Sequence, residues 1–321
     1  MCVRGGDVSL RPVPFGLGTE PQGALGVGQK RDGLVSVTIP TRNAAATLGR
    51  CLESVRRQAY KAVEVLVVDG GSCDGTQEVA AAYGATVVEV KGGLLAARIA
   101  GAQMARGEYV LLLDADQVLA PGALERAVAM AEEGGYDMLV LEEVSLPPRN
   151  FWQKLFAAHR RLIHFYLDEK ALDPIKGTVL PRFFRRRLLL EAMDAIPEGL
   201  RKEVVHHDHA IIYLEARRLS SKVGILPRAV FHQEPASLRE IVARNFRYGR
   251  SLAALEGPNP YSRLVRRRDG YIWPRGLAWR HLPLVVQSAL LLTMLKAIQQ
   301  AGLLWEKARR AALARPLRLR G

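Results

Sequence analysis

The stretch Glu108-Tyr-Val-Leu-Leu-Leu-Asp-Ala-Asp116 decides the fold of this chain. Its centre is a short apolar run, and Gly107 before it and Pro121-Gly122 after it mark the ends of a strand. An apolar run of this length predicts a strand buried on both faces. Open α/β sheets bind their ligands at the carboxyl edge, so we expect Asp114 and Asp116 to lie at a binding site.

Two carboxylates one residue apart repel each other unless a positive charge lies between them. A hard divalent cation, Mg²⁺ or Mn²⁺, that also bridges substrate phosphates is the usual solution. The alternative is that Asp114 and Asp116 only cap the helix that begins near Pro121, since Asp is a common capping residue.

Short apolar strands and amphipathic helices alternate upstream of this stretch. Strands are predicted over 34–39, 63–68 and 85–90, and helices over 46–58, 77–83 and 94–104. This alternation predicts an α/β fold with a mostly parallel central sheet and helices on both faces. The polar turns that follow the strands then collect on one edge of the sheet.

The turn Asp69-Gly-Gly-Ser-Cys-Asp-Gly-Thr76 follows the second strand. Its glycines let the backbone approach a ligand closely, and Asp69 can accept a hydrogen bond from a base or a ribose. No Gly-x-Gly-x-x-Gly fingerprint follows either of the first two strands, which argues against a dinucleotide cofactor. An ordinary β-to-α turn is the alternative.

Composition places the chain among soluble globular proteins, since 49% of its 321 residues are apolar and 24% are charged. Its three cysteines, Cys2, Cys51 and Cys73, form no Cys-x-x-Cys pair. Neither a disulfide framework nor a zinc site is therefore indicated. The N-terminus lacks the charged and apolar pattern of a secretory signal.

Charge divides the chain into three parts. Residues 1–32 are rich in Gly and Pro and are predicted to form a flexible leader. Residues 33–235 carry 25 basic and 25 acidic side chains and form the predicted folded domain. Residues 236–321 carry 17 basic and 4 acidic side chains, which is +13 of the total net charge of +14. This last segment is expected to meet an anionic partner.

Several short motifs between residues 35 and 116 resemble, in order and spacing, the nucleotide-binding half of family 2 glycosyltransferases. The motifs are Val35-Ser-Val-Thr-Ile-Pro-Thr-Arg-Asn43, Cys51-Leu-Glu-Ser54 with Gln58, Val67-Val-Asp-Gly-Gly-Ser-Cys-Asp-Gly-Thr76, Ala97-Arg98, Ala105-Arg-Gly-Glu-Tyr109 and Asp114-Ala-Asp116. Members of this family have the Rossmann-like GT-A fold and transfer a sugar from a nucleotide-diphosphate donor with inversion at the anomeric carbon. The resemblance implies that residues 33–235 are a GT-A catalytic domain.

The resemblance also implies roles for individual residues around the donor. Pro40, Thr41 and Asn43 match the loop that lines the nucleoside pocket. Asp69 matches the acid that contacts the base, and Arg98 matches a basic residue near the donor.

Asp114 and Asp116 match the Asp-x-Asp motif of the family. Asp114 corresponds to the ribose side, and Asp116 corresponds to the residue most directly on the metal and the diphosphate. The chain departs from the family at Ile99, where Asn is frequent, and at Cys73, where Thr is frequent. These motifs therefore do not decide whether the donor is a UDP-sugar or a GDP-sugar.

The segment Val204-Val-His-His-Asp-His209 supplies the candidate general base. Inverting transfer needs a carboxylate that removes the proton of the acceptor hydroxyl as its oxygen attacks. Asp208 falls where many members of the family carry an acidic pair at the start of a helix, although the first acid is His207 here. A plain helix cap is the alternative. A metal site of His206, His207 and His209 is disfavoured, because neighbouring positions point in divergent directions.

His232, within Val230-Phe-His-Gln-Glu-Pro235, follows an apolar strand pattern. It resembles the third metal ligand or diphosphate contact of many GT-A enzymes. A packed or hydrogen-bonded histidine is the alternative.

The basic C-terminal segment contains two predicted helices. Residues 237–255 form a helix whose arginines can hold a phosphate, and residues 282–305 are mostly apolar. Trp273, Trp279 and Trp305 flank the apolar stretch, with basic residues on both sides. This pattern is typical of a helix lying in the interface of an anionic cytoplasmic membrane leaflet. A core-packing helix and a homodimer seam are the alternatives.

Two hypotheses follow for the function. The first is a metal-dependent inverting glycosyltransferase at the cytoplasmic face of the cell membrane, which uses a UDP- or GDP-sugar and a lipid phosphate or lipid-linked glycan. The second is a non-catalytic GT-A-fold protein that binds membrane or nucleic acid through its basic segment. Nucleic acid is the less expected partner, because the basic residues accompany an apolar run rather than stacking aromatics.

Overall fold

In a computed structural model, the chain is described over residues 31–165, 172–173, 180–265 and 281–314. Residues 1–30, nearly all of the predicted leader, lie outside the described residues, as do Trp273 and Trp279. Within the described ranges, eight strands form one sheet. They are β1 Arg31–Thr41, β2 Val63–Asp69, β3 Thr86–Glu89, β4 Gly107–Leu112, β5 Gln117–Leu119, β6 Met138–Ser145, β7 Pro181–Arg185 and β8 Val223–His232.

The strand order across the sheet is β3-β2-β1-β4-β7-β6-β8-β5. The first four strands in this order are parallel to one another, and β6 is parallel to β8. β7 runs antiparallel to β4 and β6, and β5 runs antiparallel to β8. The prediction of a mostly parallel sheet is therefore confirmed, with β5 and β7 as its antiparallel strands.

Eleven helices surround this sheet in the part of the chain that the structure describes. They are α1 Ala45–Arg56, α2 Thr76–Ala82, α3 Leu94–Met104, α4 Ala123–Glu133, α5 Phe151–Phe165, α6 Arg186–Asp194, α7 Glu198–Arg201, α8 Asp208–Leu219, α9 Leu238–Leu252, α10 Ser262–Val265 and α11 Leu282–Ala314.

The sheet has an apolar core on each face. Successive residues of β4 alternate between them, with Tyr109 and Leu111 in one core and Val110 and Leu112 in the other. Helices α1 and α4 cover the first core, and α3, α6 and α8 cover the second. The central strand is thus buried on both faces, as its unbroken apolar run predicts.

Helices α9 and α11 cross at close range. A Cβ atom added to Gly249 would overlap the backbone of Gln299, and one added to Gly302 would overlap the backbone of Phe246. These two glycines therefore allow the helix backbones to approach each other directly.

The opposite face of α11 is exposed and apolar. Leu290 and Leu304 are each 63% exposed, and Leu282 and Val286 are also exposed. By length and composition alone, Leu282–Leu313 is able to cross a membrane, with a mean hydropathy of 1.5, and 17% of its most apolar window is buried. The predicted apolar C-terminal helix is thus packed on one side and open on the other.

Candidate active site

A cavity of about 1140 Å³ opens at the carboxyl edge of β1 and β4. This volume lies just above the roughly 300–1,000 Å³ that is typical of small-molecule sites. The sequence-predicted site residues that line it are Pro40, Thr41, Asn43, Arg98, Asp114, Asp116, Asp208 and His232. The fold therefore gathers eight of the nine candidate residues around one space, and Asp69 lies behind its wall.

Asp69 is fully buried and organises the turn after β2. Its carboxylate accepts hydrogen bonds from Thr41 Oγ1 at 2.9 Å, Ser72 N at 2.8 Å and Gln77 Nε2 at 3.0 Å. Burial by itself would raise the pKa of Asp69, but these hydrogen bonds outweigh burial and hold its pKa below the ordinary value. Asp69 thus stays ionised and joins the turns that follow β1 and β2.

Asn43 fixes the same pair of turns from the cavity side. It adopts a left-handed backbone conformation with φ 53°, which Asn tolerates better than most residues. Its side-chain oxygen accepts from Cys73 N at 3.0 Å, and its own N–H donates to Ser72 Oγ at 2.8 Å. These hydrogen bonds join the loops after β1 and β2 into one wall of the cavity.

Asp114 lies between two arginines. Arg98 Nη2 donates to Asp114 Oδ1 at 2.6 Å, and Arg182 Nη1 donates to Asp114 Oδ2 at 2.9 Å. Burial favours the protonated acid, but the two guanidinium groups hold the pKa of Asp114 well below its usual range. Both oxygens of Asp114 are therefore committed to arginine.

Asp116 lies beside groups from two distant segments. Strand β5 pairs with β8 so that Gln117 lies opposite His232, and this register brings His232 Nε2 to 3.6 Å from Asp116 Oδ1. Arg244 Nη1, on α9, lies 3.6 Å from Asp116 Oδ2. The Asp116 side chain is 29% exposed, so it faces the cavity with one histidine and one arginine as neighbours.

The other ring nitrogen of His232 faces a buried carboxylate. Nδ1 lies 3.4 Å from Glu234, which accepts hydrogen bonds from Ser145 Oγ at 2.6 Å and Arg160 Nε at 2.6 Å. Burial and Arg160 lower the pKa of His232, but Asp116 and Glu234 outweigh them and raise it. A carboxylate behind one nitrogen orients the ring so that the other nitrogen faces the cavity.

The described residues contain no cluster of three or more His, Cys, Asp or Glu side chains that could hold a metal ion. Asp116 Oδ1 and His232 Nε2 nevertheless lie close enough to share one ion, with its other positions left to phosphate oxygens and water, an arrangement common for Mg²⁺. An imidazole ligand favours Mn²⁺ over Mg²⁺. The donor set thus fits a divalent cation that binds together with a diphosphate.

Asp208 begins α8 and is 6% exposed. Arg98 Nε donates a hydrogen bond to its Oδ2. Burial opposes ionisation, but the Arg98 charge outweighs it and lowers the pKa of Asp208. The residue before it, His207, has φ 67°, so the chain turns sharply to place the carboxylate on the cavity wall.

The neighbouring histidines serve other contacts. His209 Nε2 lies 2.7 Å from Arg182 Nη1, and burial together with the two nearby arginines holds its pKa well below the usual range. The neutral ring therefore accepts a hydrogen bond from Arg182. The His206 ring stacks on Tyr248 of α9, with centroids 4.8 Å apart. His206 and His209 thus contact two different parts of the protein.

Sequence reasoning missed a second group of buried charges behind Asp114. Glu143 accepts from Arg182 Nε at 2.8 Å and from Gln117 Nε2 at 3.0 Å, and it also pairs with Arg160. Burial would raise the pKa of Glu143, but Arg182 and Arg160 lower it to about 2. The sequence does contain one indication of this buried carboxylate: Glu143 follows the apolar part of β6, just as Asp114 follows β4.

The basic C-terminal segment forms part of the cavity wall. The residues of α9 and α11 that line it are Glu240, Arg244, Asn245, Arg247, Tyr248, Leu292, Leu295 and Gln299, and α5, outside this segment, adds Phe156, His159, Arg160 and Ile163. The segment from residue 236 onward therefore lies beside the site as well as carrying the charge excess.

The amino-acid sequence is similar to that of known glycosyltransferases. Residues 36–191 match the family model for glycosyl transferase family 2. The chain is 31% identical over 170 residues to the PGL/p-HBAD biosynthesis glycosyltransferase of Mycobacterium tuberculosis, covering 49% of this chain and 66% of that protein. It is 29% identical over 221 residues to the uncharacterized glycosyltransferase EpsJ of Bacillus subtilis, covering 65% of this chain and 63% of that protein. The matches thus span less than two thirds of either relative.

Solved structures resemble this chain over most of its length at low sequence identity. S. aureus TarS 1-349 in complex with UDP-GlcNAc has a TM-score of 0.52 and 17% identity, covering 87% of this chain and 92% of that one. The mannosyltransferase PcManGT from Pyrobaculum calidifontis, in complex with GDP-Man and Mn²⁺, has a TM-score of 0.50 and 22% identity, covering 88% and 76%. At these identities the likeness establishes the fold.

Proposed function

Because this chain belongs to glycosyl transferase family 2 and has the GT-A fold, we propose that it transfers a sugar from a nucleotide-diphosphate donor to an acceptor with inversion. The observation that carries this proposal is the single cavity in which the family's motif residues meet. Arg98 on α3, Asp114 and Asp116 in the loop after β4, Asp208 on α8 and His232 at the end of β8 all line that one space.

The loops after β1 and β2 supply the nucleoside side of the donor site. Pro40, Thr41 and Asn43 line the cavity there, and Asp69 holds their shape through Thr41. We assign the donor as a UDP- or GDP-sugar, which is supported by the UDP-GlcNAc and GDP-Man bound to the two similar structures.

Asp116 and His232 hold a divalent cation, Mg²⁺ or Mn²⁺, which supplies positive charge to the diphosphate leaving group when bound. Arg244, 3.6 Å from Asp116, adds a guanidinium group that can donate hydrogen bonds to the same phosphates. Glu234 keeps the His232 ring oriented towards this position through Nδ1. Asp114, bound to two arginines, lies on the ribose side.

Asp208 acts as the general base. The acceptor oxygen attacks the anomeric carbon while the bond from that carbon to the diphosphate breaks, and the hydroxyl proton passes to Asp208. The Arg98 contact lowers the pKa of Asp208, so it is a weak base. A weak base is sufficient late in this reaction, because the attacking oxygen becomes strongly acidic as it bonds to carbon.

The acceptor is a lipid phosphate or a lipid-linked glycan, and the enzyme works at the cytoplasmic face of the membrane. This part of the proposal is supported by the exposed apolar face of α11. Exposed basic residues on the same helix, among them Lys296 and Lys307, suit an anionic leaflet.

The proposal is tested by titrating UDP and GDP calorimetrically, each with and without Mn²⁺, into the wild type and Asp116→Ala. Micromolar binding that requires Mn²⁺ and is lost in Asp116→Ala supports the donor site and identifies its base. Glu133→Ala, an exposed acid at the end of α4, is the matched control and retains binding. If neither nucleotide binds to the wild type under any condition, the transferase assignment is wrong.

A further inference from the structure

One side of the cavity is apolar, although the site itself is charged. Phe156 and Ile163 on α5 and Leu292 and Leu295 on α11 line it, and we term these four residues the apolar wall. All four side chains are only partly buried, so apolar surface faces the open space. The charged diphosphate of a sugar nucleotide is not stabilised by contact with apolar side chains.

Helices α5 and α11 are held together at the apolar wall. His159 Nδ1 on α5 lies 2.7 Å from Ser288 Oγ on α11, and His159 also lines the cavity. Arg160, the next residue, reaches Glu143 and Glu234 behind the catalytic carboxylates. One face of α5 therefore presents both the apolar wall and the charged network.

A free positive charge faces the same cavity. Arg247 on α9 lines the cavity, is exposed, and forms no ion pair or hydrogen bond among the described residues. Two residues earlier on α9, Asn245 Oδ1 accepts from Gln299 Nε2 on α11 at 3.0 Å. This bond ties the arginine-bearing helix to the helix that carries Leu292 and Leu295.

Helix α11 also joins the cavity to the protein surface. Its inner face supplies Leu292 and Leu295, while Leu290 and Leu304 on its outer face are each 63% exposed. An apolar chain that leaves a bilayer along the outer face meets apolar side chains again on the inner face of the same helix.

We propose that the apolar wall binds the hydrocarbon chain of an amphiphilic acceptor whose anionic phosphate lies against Arg247. This inference rests on the proposed transferase function and specifies how its acceptor is recognised. The chain contributes burial of apolar surface, which is non-directional, and the phosphate contributes charge-assisted hydrogen bonds that fix the orientation of the head group.

The test uses three probes on the full-length chain by calorimetry: n-dodecyl phosphate below its critical micelle concentration, inorganic phosphate, and n-dodecyl maltoside. We expect dodecyl phosphate to bind at least tenfold more tightly than either of the others. Leu295→Gln and Ile163→Gln, which alter the apolar wall from two different helices, are each expected to weaken dodecyl phosphate at least tenfold. Leu290→Gln, on the outer face of α11, is the matched control and is expected to leave its affinity within twofold.

Three outcomes overturn the inference: equal affinity for dodecyl phosphate and inorganic phosphate, no loss in either wall variant, or a loss in Leu290→Gln alone. Titration of UDP and GDP with Mn²⁺ into the same variants shows that they are folded and separates the two proposals. If the nucleotides bind while dodecyl phosphate does not, the acceptor inference fails and the transferase assignment stands. If no nucleotide binds even to the wild type, the transferase assignment is wrong, whether or not dodecyl phosphate binds.

Discussion

Arg98 bridges Asp114 and Asp208: its Nη2 lies 2.6 Å from Asp114 Oδ1, and its Nε donates to Asp208 Oδ2. The guanidinium group is 1% exposed. One buried cation thus joins the residue on the proposed ribose side of the donor to the proposed general base. The Asp208 side chain is 9% exposed, whereas that of Asp114 is 26% exposed and also pairs with Arg182, so Asp208 depends more strongly on this arginine.

Arg98→Ala is expected to destabilise the fold by about 3–5 kcal/mol, because it leaves the buried Asp208 without its arginine and Asp114 with Arg182 alone. Urea unfolding at neutral pH measures this change. Arg57→Ala is the matched control, since Arg57 pairs with Glu53 at 2.6 Å but is 76% exposed, and a surface pair contributes about 1 kcal/mol at most. Equal losses in the two variants would contradict a structural role for the buried bridge.

Stability is expected to fall between about pH 5 and pH 2 through Glu143. Its pKa in the folded state is lowered to about 2, so its contribution is fully present above the ordinary glutamate pKa. That contribution is lost as the pH falls through the folded-state value, and it amounts to roughly 2–4 kcal/mol. Urea unfolding at pH 6, 4 and 3 checks this, with Glu143→Gln expected to show a flatter pH dependence. A slope unchanged by the substitution would exclude Glu143 as a source.

Gly249→Ala is expected to loosen α11, because the added methyl group would overlap the backbone of Gln299. Overpacking of this kind costs about 1–3 kcal/mol and lowers the melting temperature. Gly199→Ala on α7, where a Cβ atom meets nothing within 4 Å, serves as the control. Thermal unfolding of both variants measures the difference, and a melting temperature for Gly249→Ala at or above the wild-type value would show that α9 and α11 do not pack this closely.

Leu290→Glu is expected to reduce binding to vesicles of mixed neutral and anionic lipid about tenfold or more, since burying one Leu contributes about 1.5–3 kcal/mol. Sedimentation with the vesicles measures the bound fraction, and added salt should lower it further. Leu219→Glu at the end of α8, where Leu219 is 45% exposed, should bind as the wild type does. Wild-type protein that stays in the supernatant would rule out α11 as a membrane contact.

Asp208→Asn is expected to keep Mn²⁺-dependent nucleotide binding and to lose about 10²–10⁴-fold in turnover, the range ascribed to a general base. The amide can still accept a hydrogen bond from Arg98, so the site should keep its shape. Nucleoside diphosphate release from a UDP- or GDP-sugar, whichever nucleotide binds, is the readout. Wild-type turnover in this variant would assign the base to another group.

Local patterns were sufficient to predict much of the fold. The alternation of apolar runs and amphipathic segments predicted β1, β2 and α1, and the bounds of α3 were predicted to the residue. The placement of Asp114 and Asp116 at the end of a buried strand also followed from sequence alone. Apolar periodicity reports which residues of a single element are buried, and this information is local.

Strand β5 was not predicted, and neither was the antiparallel direction of β7, although residues 175–187 resemble a strand of the family. β5 has three residues, which are too few to reveal the alternation of apolar and polar residues that is typical of a strand. β7 lies within a basic run, and its pairing with β4 and β6 depends on chain that is distant in sequence. Strand direction within a sheet is therefore set by tertiary contacts.

The sequence by itself determined the α/β architecture, the edge of the sheet where the acids lie, and the family that those motifs resemble. Only the tertiary structure decided which charges meet: Arg182 with Asp114, Glu234 with His232, and Arg98 with Asp208. The physical reason is that a charged side chain is compatible with many partners in sequence, whereas strand register and helix packing bring only particular groups within hydrogen-bond distance. The same reason applies to α11, whose apolar pattern did not reveal which face lines the cavity and which stays exposed.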